Sequence, residues 1–175
     1  MALLALLAAA LLLMGRPLWC ECGYVKLWHG EVMSAENSQH VADWYSFTHL
    51  LHGFGLYGIF WLALRRWSLE LRFLLTLLIE VAWEIFENTD FVIGRYRDGT
   101  IALGYYGDSV INAGVDVLFC LLGFVLAARL PVRATVALAA ALEGVLAYAI
   151  RDNFTLNVIM LIYPFEALRE WQLGG

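Results

Sequence analysis

Six apolar runs divide the 175-residue chain, and their lengths leave few folds open. They cover residues 2–19, 47–64, 69–87, 109–128, 132–150 and 154–168. Each is close to the roughly 20 residues an α-helix needs to cross a bilayer core. No polar stretch between them is long enough for a soluble domain. The expected fold is therefore all-α, a polytopic membrane helix bundle of about six transmembrane helices, with residues 1–175 forming a single transmembrane domain. Composition agrees: 62% of residues are hydrophobic and 15% charged, against about 45–50% and about 25% in soluble domains. The net charge of -5 excludes a nucleic-acid partner, because no basic patch is present to neutralise phosphates. Membrane lipid is the expected partner.

The first run resembles a signal peptide in length but lacks a basic start and a small-residue cleavage pattern before Arg16 and Pro17. It reads as a first membrane helix extending to Trp19. The last run is interrupted by Asn157, Pro164 and Glu166, so an interfacial helix stays open there. Arg65, Arg66 and Arg72 bracket one turn, and Arg129 and Arg133 bracket another. Basic residues mark cytoplasmic turns. The 20–46 and 88–107 loops then fall outside a bacterial inner membrane, with both termini cytoplasmic. Arg95 and Arg97 oppose this orientation, accompanied by Asp90 and Asp98. Cys120 reads as a buried small hydrophobe. Cys20 and Cys22 are left as free loop thiols, an intermolecular disulfide or a redox pair.

Ionisable residues inside a membrane are costly, about 2.5–3.5 kcal/mol each on insertion scales, and mark functional sites by default. His49 and His52 lie three apart on one helical face. Gly55 and Gly58 follow at a spacing that suits close helix approach. Glu80, Glu84 and Glu87 form one stripe about 10 Å long, continued by Asn88. Asp108, Asn112 and Asp116 form another, with Asp108 or Ser109 able to cap the helix. Glu143 lies about 12 Å below the outer end of its helix, with Arg151 and Asp152 above it. Helix rise, phase and span alternation predict that these groups converge in one outward-facing cavity. His49, His52, Glu84, Glu87 and Asp108 are the candidate catalytic residues. Glu80, Asn88, Asn112, Asp116, Glu143, Arg151 and Asp152 form the expected supporting network. So many carboxylates cannot all ionise together without a balancing cation.

The segments ENSQHVADWY (36–45), HLLHG (49–53), EVAWEIFEN (80–88), YYGDSVIN (105–112) and RDNFTLN (151–157) resemble an uncharacterised family of bacterial multi-pass inner-membrane proteins. A more distant likeness in pattern extends to VanZ-like and YjdF-like membrane proteins, through His49 or His52, then Glu80 and Glu84, then Gly107, Asp108, Asn112 and Asp116. The resemblance implies location and topology, and no chemistry.

Three functions compete. The first is an enzyme on a lipid or lipid-linked substrate, using histidine and carboxylate acid–base chemistry, with a possible divalent metal on His49, His52, Glu84 and Asp108. Imidazole with carboxylate suits zinc, iron or manganese, but the spacings match no standard zinc or di-iron motif. The second is a proton- or ion-coupled transporter, opposed by the missing polar path in the inner half. The third is a non-catalytic envelope factor whose polar cluster only holds the bundle together.

Overall fold

A computed structural model describes residues 2–174. Among the described residues the six runs become eight helices and no strand. The helices are α1 (Ala2–Leu13), α2 (Ser46–Ala63), α3 (Leu69–Glu87), α4 (Asp90–Gly99), α5 (Val110–Arg129), α6 (Val132–Ile150), α7 (Phe154–Ile162) and α8 (Glu166–Leu173). The middle four runs match α2, α3, α5 and α6 to within a residue. The outer runs do not. α1 stops at Leu13 because Gly15 adopts φ +79 and the Arg16 N–H bonds back to Leu11 O at 2.9 Å, a left-handed glycine closure of a helix end. Residues 16–19 are therefore loop. Pro164 lacks an N–H and disfavours helical backbone before it, which splits 154–168 between α7 and α8. The 88–107 segment contains α4, unseen as a helix because its mean apolar character is low.

Among the described residues, α5 and α6 are the two helices long and apolar enough to cross a membrane. α2 and α3 have 18 and 19 residues, which is bilayer length, but their His and Glu stripes lower their hydropathy. The structure thus supports two candidate spans rather than six. α6 stands at the edge, where Leu146 is its one buried residue.

The centre of the bundle is the α2–α5 pair. A Cβ built on Gly53 would collide with the backbone carbonyl of Cys120 and lie 2.6 Å from Phe124 N, and one on Gly123 would collide with Leu50 O. The two backbones touch, and only glycine permits it. Gly55 and Gly58, the expected contact residues, have nothing within 4 Å. Leu50, Leu51 and Phe54 of α2 pack with Ala127 of α5 on this side. On the other, Leu7 and Leu11 of α1 pack against Val81 of α3 and Ala113 and Val117 of α5.

The start of α5 is buried, so its free N–H groups need acceptors. Ser38 O, Pro17 O and Leu18 O accept from Ser109, Val110 and Ile111 at 2.9, 2.9 and 3.2 Å. The Ser109 hydroxyl accepts from Asn112 N at 3.2 Å and is the cap. These bonds fasten the long 14–45 loop over the end of the bundle.

Gly53→Ala and Gly123→Ala should each destabilise the protein by about 1–3 kcal/mol or more through overpacking. Gly55→Ala and Gly58→Ala should be neutral or stabilising by up to about 1 kcal/mol through helix propensity. Thermal unfolding of the four variants in detergent checks this, and equal effects at all four positions would refute the contact.

Candidate functional site

Glu80 is the carboxylate around which the site is arranged. It lies one turn below Glu84 on α3, buried to 1% exposure. His49 Nδ1 lies 2.7 Å from Glu80 Oε1. His52 Nδ1 lies 3.1 and 3.2 Å from its two oxygens. The three-residue spacing on α2 is what lets both rings reach one acceptor, with centroids 4.8 Å apart. A carboxylate accepts, so each ring donates from Nδ1. His49 Nε2 is 4.0 Å from Asp116 Oδ2 on α5, and His49 Nδ1 is also 3.2 Å from Glu84 Oε1.

A cavity of about 60 Å³ lies above this group. One water needs about 10–15 Å³ on that measure, so there is room for several. His49, His52, Glu87, Asp108 and Asp116 line it, while Glu80 and Glu84 stand behind the wall. Trp83, Phe154, Val158 and Leu161 give the lining an apolar part.

Asp108 is clamped rather than free. Asn88 Nδ2 donates to its Oδ2 at 2.7 Å and Tyr105 OH to its Oδ1 at 3.0 Å. In return, the Asp108 N–H donates to Asn88 Oδ1 at 2.7 Å. Burial raises the Asp108 carboxyl to about 6, against these bonds. Glu87 accepts from Tyr96 OH at 2.7 Å. Asn112 is fully buried, and neither side-chain polar atom has a hydrogen-bond partner.

Two residues of the expected network lie elsewhere. Glu143 caps α7, accepting from Phe154 N at 3.0 Å and Thr155 N at 3.2 Å. Its depth estimate ignored that the chain turns back at 151–153. Arg151 is an exposed left-handed residue (φ 53) that donates to Trp171 O. Asp152 sits beside the cavity, accepting from Tyr45 OH at 3.0 Å and Gln172 Nε2 at 3.0 Å.

Sequence reasoning missed Tyr45, Tyr96, Tyr105 and Asn157, which complete the cavity. The Tyr45 hydroxyl meets an acid far along the chain, Asp152, whereas Tyr96 and Tyr105 meet the nearby Glu87 and Asp108. It also missed a Cys20–Cys22 disulfide. Beside it Glu36 accepts from Tyr24, Lys26 and His40 at 2.8, 2.7 and 2.9 Å. The Lys26 bond, first among these contacts, holds the Glu36 carboxyl down at about 2.

Burial raises the Asp152 carboxyl to about 6, above the ordinary value of about 3.9. The folded protein then binds a proton that the unfolded chain releases first. This group favours folding below about pH 4, and that contribution is lost as pH rises through about 6. The stability of wild type relative to Asp152→Asn should therefore fall by up to about 3 kcal/mol from pH 4 to 7. Thermal unfolding across that range measures it, and a constant difference would count against the assignment.

Residues 11–174 match the family described as "Protein of unknown function (DUF2585)". A UPF0314 protein of Sinorhizobium fredii is 55% identical over 162 residues, covering 93% of this chain and 82% of the relative. One of Paracoccus denitrificans is 53% identical over 169 residues, covering 97% and 88%. One of Sphingopyxis alaskensis is 51% identical over 175 residues, covering 99% and 93%. No solved structure matches the chain.

Proposed function

The chain belongs to the DUF2585 family, and we propose that it is a multi-pass inner-membrane enzyme acting by general acid–base chemistry on a lipid or lipid-linked substrate. The carrying observation is the pair of imidazoles held at Nδ1 by Glu80, beside a cavity with both acidic and apolar walls. A neutral ring oriented by a carboxylate keeps Nε2 as a proton acceptor, the arrangement a general base needs. His49 is the base, Glu80 orients it, and Glu87, which lines the cavity, is the candidate acid. Trp83, Phe154, Val158 and Leu161 would lie against an acyl or isoprenoid chain.

Membrane spanning beyond α5 and α6 is part of this reading. α2 and α3 would cross with their polar stripes turned toward the cavity, away from lipid. The thin cover of α6 supports it, since an apolar helix with one buried residue is not the core helix of a soluble domain. In this orientation the 14–45 and 88–107 loops face outward, and a Cys20–Cys22 bond suits an oxidising compartment. Leu103→Cys should react with a membrane-impermeant maleimide on intact spheroplasts, whereas Trp67→Cys should react only after lysis. The reverse pattern would overturn the orientation.

A second reading, a purely structural polar network, is favoured by the saturated hydrogen bonds of Asp108. One experiment separates them. Cells lacking the protein are complemented with wild type or His49→Gln, and their lipid extracts are compared by mass spectrometry. The enzyme reading expects folded His49→Gln to leave the deletion profile unrestored, with turnover reduced about 10²–10⁴-fold. A folded His49→Gln that restores the wild-type profile, or a deletion that alters no lipid, would sink it.

A further inference from the structure

We infer that the face shared by α2, α3 and α5 is a divalent-cation site, with His49, Glu84 and Asp116 as inner ligands and Glu87 at its mouth. The inference rests on the acid–base reading only for its place in the reaction: with an ion on His49 Nε2 that nitrogen no longer accepts a proton, and the role of base passes to His52, which also lines the cavity with Nδ1 held by Glu80.

Five buried oxygens on two facing stripes have no hydrogen-bond partner. They are both oxygens of Glu84, Oε2 of Glu87, Oδ1 of Asn112 and Oδ1 of Asp116. Buried polar groups are satisfied in about 90% of cases or more, so five orphans at one place point to a missing electrophile. The His49 Nδ1 hydrogen goes to Glu80, which leaves Asn112 Nδ2 as one unpartnered donor among five unpartnered oxygens.

The spacing fits an ion. His49, Glu84 and Glu87 each offer a ligand atom within 4.8 Å of the others. His49 Nε2 and Asp116 Oδ2 are 4.0 Å apart, a little wider than the roughly 3.4 Å between neighbouring ligands of a tetrahedral ion, so a small closure brings both onto one metal. Glu80 gives the outer support that metal-bound histidines usually have, a carboxylate accepting from the other ring nitrogen. Charge argues the same way. No Lys or Arg lines the cavity, and Arg16, the basic side chain beside Gly107, is turned to Tyr106 O and Asp90. Imidazole with several carboxylates suits zinc, manganese or iron.

Of the other two clusters of ligand-type atoms, that of His49, His52 and Glu80 is closed by its own hydrogen bonds, and that of Cys20, Cys22, Glu36 and His40 lies apart and lacks this character. Its sulfurs are bonded to each other. His40 Nδ1 accepts from the Lys26 N–H, so its proton lies on Nε2 and is given to Glu36.

The test uses the full chain in mild detergent, stripped with a chelator and titrated with Mn²⁺ or Zn²⁺. One Mn²⁺ per chain is expected by electron paramagnetic resonance, with a raised thermal midpoint. Glu84→Gln and Asp116→Asn should lose the ion, and Glu80→Gln should weaken it about 10–100-fold. Glu36→Gln, in the outer cluster, should bind as wild type does. Should the ligand variants fail to fold, wild type alone decides. No binding of either ion and no thermal shift overturns the site, as does binding that folded Glu84→Gln and Asp116→Asn retain. Ion-free wild type that still restores the lipid profile removes the metal and leaves the acid–base reading. An ion bound with no lipid effect does the opposite.

Discussion

The Glu80 carboxylate holds two imidazoles at once, and the geometry of the site follows from that contact. A buried carboxylate without donors is unstable in an apolar bundle. Here the donors come from His49 and His52, one turn apart on the neighbouring helix. The contact sets the rotation of α2 against α3 and fixes which nitrogen of each ring carries hydrogen. It also turns His49 toward Asp116 on α5. One acidic residue thereby relates three helices, and the remaining acids are arranged with respect to a ring whose direction is already set.

The outer segments are held by a different force, the demand of helix ends for partners. α5 begins in buried surroundings, and its first N–H groups draw in the carbonyls of Pro17, Leu18 and Ser38. α7 is fastened at its start by Glu143 and Asn153 and at its end by Arg95, which donates to Leu161 O and Ile162 O. The long loops are thus the lid and side wall of the cavity.

This division explains what the sequence made legible. The stripes Glu80/Glu84/Glu87 and Asp108/Asn112/Asp116 follow from helical periodicity, and their helices formed within a residue of expectation. His49 and His52 were placed on one face by the same arithmetic. The departure of Glu143 from the expected cluster was not legible in this way, because depth along one helix says nothing about a neighbour's N-terminus competing for the carboxylate. Tyr45 was hidden because its hydroxyl contact with Asp152 is long-range and has no local signature, and Tyr96 and Tyr105 because their contacts with Glu87 and Asp108 depend on how α4 and the loop after it fold back. The closing of α1 at Gly15 and the break at Pro164 were written in single residues. The length of the apolar runs outweighed them.

The bare contact between Gly53 and Gly123 has a mechanical consequence. His49 is one turn from Gly53, and Asp116 two turns from Gly123. With no side chain between the backbones, α2 and α5 form a rigid jaw whose gape is set by peptide atoms alone. Any widening of the cleft to admit a bulky headgroup must come from the opposite jaw, where α3 and α4 meet the rim through tyrosine hydroxyls that can let go.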